Sequence, residues 1–263
     1  MVRPLVSVIT VCYNAERYLA GAMTSVLEQT YPEIEYVVVD GGSTDGTLEI
    51  VRSFEPRFGG RLSWTSQPDE GIYDAMNAGI ARASGRIVGI LNADDEYLPE
   101  AVSRAVEAFA ATPTPGAVFG DAEVIDGDGV TLRIERAQIP VPGRMPARMP
   151  MCHQSLFVAR DVYERLGAYD TRYRILADYD FVLRMLDAGV ELAYVPVALA
   201  RFRLGGVCSA DVAASTAERE RIRVAHGANA FAERAKRMRH AVNRFVYAVL
   251  TRRTASSGTT PKR

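Results

Sequence analysis

Apolar positions in this chain switch between two spacings, and the switches mark its elements. Residues 6–11, Val-Ser-Val-Ile-Thr-Val, are rich in β-branched side chains and predict a strand. Over residues 16–29, Leu19, Met23, Val26 and Leu27 recur at helical spacing, and Pro32 then breaks the chain. Residues 34–40 predict a second strand, 41–46 a glycine-rich loop, and 47–58 a helix. A short strand at 62–66 and a helix at 73–83 follow, with Gly85 as the stop. The apolar run 86–91 is too short to span a membrane and reads as a buried strand, with a helix over 99–111 behind it. Such alternation predicts an α/β fold: a mostly parallel sheet with helices on both faces. Right-handed crossovers bring the loops after strands one, two and four to one sheet edge.

The second half is less regular. Residues 117–119 read as a strand running into a turn at Gly120-Asp121, and 122–134 as a hairpin around Asp126-Gly-Asp-Gly129. Residues 139–150 hold four prolines and predict a loop without regular structure. A strand at 155–158, a short helix capped by Asp161, a helix over 178–188 and a strand over 191–197 follow. Residues 211–254 read as one basic helix, with a disordered tail beyond it. No repeat or clear linker is visible. The simplest division is one domain over 1–210, with halves meeting near 120, and an extension over 211–263.

The buried run ending at residue 91 stops abruptly in Asn92-Ala93-Asp94-Asp95. In open α/β sheets ligands bind at the carboxyl ends of strands. Adjacent carboxylates there suit a hard divalent cation, Mg²⁺ or Mn²⁺, which in turn suits a diphosphate. The structural alternative is that Asp94 and Asp95 cap the helix that Pro99 opens.

Charge changes the picture at one end. The net charge is −1, yet residues 218–263 carry 12 Lys/Arg against 3 Asp/Glu, and the remainder 19 against 29. A tail of +9 on a body of −10 suggests an anionic partner or surface for the tail, or a solvated helix face. Between Arg234 and Val249, basic and apolar residues interleave. That helix would lie on an anionic membrane, or pack on the catalytic body or on a second subunit in a homodimer. Cys12, Cys152 and Cys208 are odd in number and widely spaced, which disfavours a disulfide framework or a zinc site and fits a reducing cytosol. Residues 1–12 lack a small-residue cleavage site and read as the first strand rather than a leader.

Seven motifs in order carry a family resemblance: SVITVCYN at 7–14, VVVDGGSTDGT at 37–47, DEGIYDAMNAGIARASG at 69–85, ILNADD at 90–95, CHQSLFV at 152–158, LADYDF at 176–181 and FRLGGVCS at 202–209. Together they resemble family 2 glycosyltransferases, enzymes of the GT-A fold that transfer sugar from a nucleotide sugar. The resemblance implies a Rossmann-like catalytic domain and an inverting, metal-assisted reaction in bacterial surface-polysaccharide or glycolipid assembly. It implies a donor linked to UDP, GDP or dTDP, a glycan or lipid-linked acceptor, no nucleic-acid partner, and a cytoplasmic location, free or peripheral on the inner face of the cell membrane.

By the same resemblance Thr10, Tyr13, Asn14, Asp40, Gly41, Asp69, Asp74, Asn77, Asn92, Ala93 and Asp94 surround the nucleotide sugar. Gly41 stands where many relatives carry an Asp that contacts uracil. Asn92 replaces the first acid of the DXD motif, which leaves Asp94 as the metal ligand with Asp95 in support. Asp178 matches the base, with Ala177 where relatives often have Glu. His153, Gln154, Asp180 and Arg203 are weaker expectations for the acceptor or diphosphate. Loop closure at Gly205-Gly206 would bring Arg201 or Arg203 in as counter-charge. Two other readings stay open: a non-catalytic nucleotide-sugar-binding protein, supported by the missing acids at 41, 92 and 177, and a nucleotidyltransferase. The latter would want a basic glycine-rich loop where Cys12-Tyr13-Asn14-Ala15 stands.

Overall fold

The computed structural model describes residues 3–112, 114–141, 143–205 and 212–233. Two compact units divide the chain, Met1–Ala210 and Asp211–Arg263. In the first, β1 (Val6–Cys12), α1 (Leu19–Leu27), β2 (Ile34–Asp40), α2 (Thr47–Phe58), β3 (Leu62–Ser66), α3 (Ile72–Arg82) and β4 (Ile87–Asn92) alternate. Strands β1 to β4 are parallel, in the order β3-β2-β1-β4. Beyond them come β5 (Glu96–Tyr97), α4 (Ala101–Ala111), β6 (Ala117–Ile125), β7 (Thr131–Glu135), β8 (Leu156–Ala159), α5 (Arg160–Leu166), α6 (Ala177–Asp187) and β9 (Leu192–Arg203). The sheet continues from β4 through β8, β6 and β9 to β5, with β7 paired to β6. Here β8 is antiparallel to both β4 and β6, while β9 is parallel to β6.

The continuous apolar runs are explained by two buried sheet faces. Val6 and Val8 of β1 join Tyr36, Val38, Leu19, Met23, Val51 and Phe58 on one face. Ile9 and Val11 join Val37, Val39, Met76, Phe119 and Phe181 on the other. Successive strand residues point to opposite faces, so a strand covered on both must be apolar throughout. Helix α3 approaches β1 closely because Gly79 has no side chain where it faces Ile9. That close approach sets the height of the α3 residues used below.

Several local expectations are corrected. Gly120 and Asp121 continue β6 instead of turning, because β9 pairs along the whole strand through a register shift there. Leu199 fills the space a side chain at Gly120 would take. Strand β9 itself runs to Arg203, well past 197. Helix α5 begins at Arg160 with Ala159 in the cap position, so Asp161 is not its cap. Helix α4 begins at Ala101 behind Glu100, with β5 intervening, so Asp94 and Asp95 do not cap it.

In the second unit, α7 (Val212–Ala225) ends before Gly227, whose φ of 90° breaks the single long helix expected there. The basic stretch from 234 onward, the disordered tail, Gly206 and Cys208 lie outside the described residues. Among the described residues, no helix is long and apolar enough to cross a membrane.

Candidate active site

The carboxyl ends of β1, β2 and β4 meet, as the topology requires. Asp40, at the end of β2, is buried. Its Oδ2 accepts from the Gly42 N–H (3.1 Å), the Ser43 N–H (2.9 Å) and the Ser66 hydroxyl (2.6 Å), while the Ser43 hydroxyl also donates to Oδ1. Burial alone would raise its pKa, but these bonds outweigh burial and hold the carboxyl below its ordinary value. Asn14, with φ of 48°, links this loop to β1: its Oδ1 accepts from the Thr44 N–H at 2.9 Å and its own N–H donates to Ser43 Oγ at 2.8 Å. Above Gly41 lies the Asp69 carboxylate. A Cβ at Gly41 would stand 2.5 Å from Asp69 Oδ2. The absent side chain at 41 therefore makes room for a carboxylate delivered from elsewhere. The Gly71 N–H holds Asp69 by its other oxygen, at 2.9 Å.

The acidic stretch is held by Arg203. Its backbone N–H donates to Asp95 Oδ1 (2.8 Å) and its Nε to the Asp94 carbonyl (3.0 Å). Its Nη1 reaches the carbonyls of Asp126 (2.8 Å) and Gly127 (3.0 Å), Nη2 reaches Glu96 (3.3 Å), and the guanidinium lies over the Tyr18 ring. This buried arginine fixes the backbone of the acidic stretch and leaves the Asp94 carboxylate facing the cleft. Burial raises the pKa of Asp94, partly offset by its own backbone N–H and by Arg203. Asp95 is pushed up further, by burial and by the Asp94 charge, and one of its oxygens has no hydrogen-bond partner among the described residues. A carboxylate destabilised by burial is relieved by a cation, so Asp94 fits a divalent ion. Among the described residues no three acidic, Cys or His side chains converge to hold an ion alone. Phosphate oxygens and water would complete the shell, as suits Mg²⁺.

Asp178 enters the site from the first turn of α6. Its Oδ1 accepts from the Tyr73 hydroxyl at 3.0 Å and from the Tyr179 N–H at 2.8 Å. Tyr73 also faces the Ile175 carbonyl at 2.9 Å. His153 Nε2 and the Tyr169 hydroxyl are 2.8 Å apart. Burial lowers the His153 pKa despite the nearby Asp178 charge, which favours neutral imidazole. One turn along α3 from Tyr73, Asn77 makes two bonds to the Tyr169 backbone, at 2.8 and 2.9 Å. Helix α3 thus positions both Asp178 and the partner of His153.

These residues meet at a cleft of about 840 Å³. Tyr13, Asn14, Asp69, Asn92, Ala93, Asp94, Asp95, His153, Gln154 and Asp178 all line it. Seven expected residues do not, and each has a physical reason. Thr10 is fully buried in mid-strand under the Tyr36 hydroxyl. Asp40 holds its own loop, and Asp74 accepts the Glu70 N–H at the start of α3. Asn77 holds Tyr169. Asp180 is paired at 2.8 Å with Arg184, which clamps the carbonyls of Leu166, Gly167 and Ala168. Arg203 is a buried clamp and not a diphosphate counter-charge. Gly41 lies beneath Asp69 and Tyr13. Sequence reasoning passed over Tyr18, Glu135, Tyr73 and Arg174 as lining residues. For Tyr73 a signal existed, since it shares an i, i+4 face with Asn77.

The glycosyl transferase family 2 model matches residues 7–159. The chain belongs to glycosyltransferase family 2. It is 33% identical over 213 residues to a PGL/p-HBAD biosynthesis glycosyltransferase of Mycobacterium bovis, covering 79% of this chain and 80% of that one. Among solved structures it is similar to Staphylococcus aureus TarS, with TM-score 0.66 and 18% identity over 87% of this chain. The chain spans only 41% of that protein. It is also similar to the Pyrobaculum calidifontis mannosyltransferase PcManGT in complex with GDP-Man and Mn²⁺, with TM-score 0.64 and 24% identity, covering 99% of this chain and 78% of that one. These likenesses establish the GT-A fold.

Proposed function

We propose that this family 2 glycosyltransferase moves a sugar from a nucleoside-diphosphate sugar to a hydroxyl of a glycan or glycolipid, with inversion. Residues 1–210 would be the catalytic domain and 211–263 an extension. The observation that carries the reading is that Asp94 and Asp178 line one cleft, with Tyr73 holding Asp178. Asp178 takes the proton from the acceptor hydroxyl. The acceptor oxygen bonds to the anomeric carbon as the bond from that carbon to the phosphate oxygen breaks on the far side. The electron pair leaves with the nucleoside diphosphate. Asp94 would hold Mg²⁺ or Mn²⁺, which supplies charge neutralisation to the departing diphosphate. Asp69, over Gly41, is the carboxylate best placed to accept from an N–H of the base. That arrangement offers UDP, GDP and dTDP donors the same acceptor group.

Asp178→Asn tests this. A base acts in the transition state, so turnover should fall by about 10²–10⁴ while nucleotide affinity stays near wild type. Undiminished turnover retires Asp178 as the base. A thermal-shift series with UDP, GDP and dTDP, each with and without Mn²⁺, names the donor. The right nucleotide at about 100 times its dissociation constant adds about 2.7 kcal/mol of stability.

A further inference from the structure

The fold holds His153 by one ring nitrogen and leaves the other free. Its backbone sits in a single 3₁₀ turn, His153–Ser155, just before β8. The buried Ser155 hydroxyl pins that turn, 2.8 Å from the Gly120 carbonyl and 2.8 Å from that of Cys152. Nε2 lies 2.8 Å from the Tyr169 hydroxyl, which in turn lies 3.4 Å from the Tyr163 hydroxyl. Both tyrosines are buried. The Tyr169 ring packs edge-on against Phe181, and Asn77 holds its backbone. Ring, hydroxyl and imidazole therefore have little freedom to rearrange.

The protons fix the direction of this chain. Among the described residues the two hydroxyls find only each other and Nε2 as acceptors. Suppose Nε2 carried a proton and gave it to Tyr169. Tyr169 would then give its own to Tyr163, and the Tyr163 proton would be buried without an acceptor, which is costly. In the opposite direction Tyr163 donates to Tyr169 and Tyr169 donates to Nε2, and every proton is used. Burial favours the neutral imidazole. Its one proton then sits on Nδ1. Nδ1 has no partner among the described residues and is not sealed from solvent. His153 lines the cleft together with Asp178.

We propose that the Tyr163–Tyr169 pair locks His153 in its Nδ1–H form, so that it offers one N–H to the cleft and donates a hydrogen bond to an oxygen of the acceptor. The choice of acceptor as the bound partner rests on the transfer reaction proposed above. Asp178 can only accept and takes the proton of the attacking hydroxyl. A hydrogen bond donated to that same oxygen would oppose its attack, so the His153 N–H belongs to a second oxygen beside it. The pair suits a polyol such as a sugar and not a lone alcohol. His153 is also no second base, because its one free electron pair, on Nε2, is committed to Tyr169.

The test is ¹⁵N-histidine NMR of the substrate-free full chain at about pH 7.5, above the ordinary histidine range. The chain has three histidines, and the His153 signals are those that vanish in His153→Asn. A protonated Nδ1 beside an unprotonated Nε2 is expected. Tyr169→Phe keeps the ring and removes the lock, so both tautomers should appear. Tyr163→Phe should keep Nδ1–H, since the Tyr169 proton still has only Nε2 to go to. A proton on Nε2 in wild type overturns the proposal without any variant, and a single unchanged tautomer in folded Tyr169→Phe overturns the lock. In steady-state transfer, His153→Gln should raise the acceptor KM at least about tenfold with a smaller effect on kcat, and His153→Asn, whose amide N–H stands nearer the place of Nδ1, should recover most of that loss. Gln and Asn variants that behave alike overturn the donor role. Full turnover in Asp178→Asn would instead defeat the base assignment and leave the tautomer measurement standing, so the two failures are distinguishable.

Discussion

Tyr73→Phe removes one oxygen and leaves the buried ring, which packs on Tyr169 with centroids 5.4 Å apart. The lost hydroxyl had one proton and two acceptors, Asp178 Oδ1 at 3.0 Å and the Ile175 carbonyl at 2.9 Å. A hydrogen bond to a charged group contributes about 1.5–3 kcal/mol. Shared between two acceptors, its part in holding Asp178 is about 1 kcal/mol, which corresponds to roughly fivefold in rate. The expected result is a kcat lowered about fivefold at saturating donor and acceptor, with donor affinity unchanged and a melting temperature lower by only about 2–4 °C. Steady-state kinetics and nucleotide titration separate these quantities. The sharper measurement repeats the substitution on the Asp178→Asn background. If Tyr73 acts through the carboxylate, its effect largely disappears there. An unchanged kcat in folded protein refutes the argument. Equal losses in both backgrounds, or a parallel loss of nucleotide affinity, would show that Tyr73 shapes the pocket instead.

Three further outcomes follow from the same geometry. Gly41→Ala puts a Cβ against Asp69 Oδ2 and must displace that carboxylate; calorimetric titration should show nucleotide affinity down about tenfold (about 1.4 kcal/mol) with little change in melting temperature, and unchanged affinity would remove Asp69 from base recognition. Arg203→Lys leaves the carbonyls of Asp94, Asp126 and Gly127 without the planar fork that reaches them, so thermal unfolding should come roughly 6–12 °C earlier, from a loss of about 3 kcal/mol. A variant of unaltered stability that only binds donor less well would restore Arg203 as a phosphate ligand. Burial holds the folded pKa of His153 below 6.5, so the unfolded chain takes up its proton first, and this contribution is full above that pH and declines as pH falls below it. His153→Asn should accordingly lose less stability than wild type between about pH 7.5 and pH 5.5, and identical acid slopes would refute the assignment.

Much of the site depends on contacts that no single motif contains. Asn77 carries a motif position and still faces away from the cleft, because α3 turns it toward the backbone of Tyr169. Arg203 also sits in a motif, and four of its side-chain N–H groups find partners inside the protein. In both cases the residue type was informative and the direction of the side chain was not. A motif records that a position is used; only the packed neighbours decide whether the use is binding or support.

What the sequence determined was local and periodic. Four apolar runs separated by helical spacing dictate a parallel sheet covered on both faces, and strand-end loops 12–14, 40–45 and 92–95 then have to converge. Asp94 follows from its place at the end of the fourth run, whereas Asp178 was legible only through the family resemblance of the LADYDF motif. The tertiary structure decided the rest. It carried β6 straight through Gly120-Asp121, because β9 offered hydrogen bonds along its length that a turn would have forfeited. It filled the gap at Gly41 with Asp69, from a different strand end. It set Tyr73 against Asp178 across 105 positions of sequence. Spacing along a chain reports on neighbours within a turn or a pleat. Contacts across the fold depend on which buried surfaces meet, and these long-range pairs supply the geometry in which the chemistry would take place.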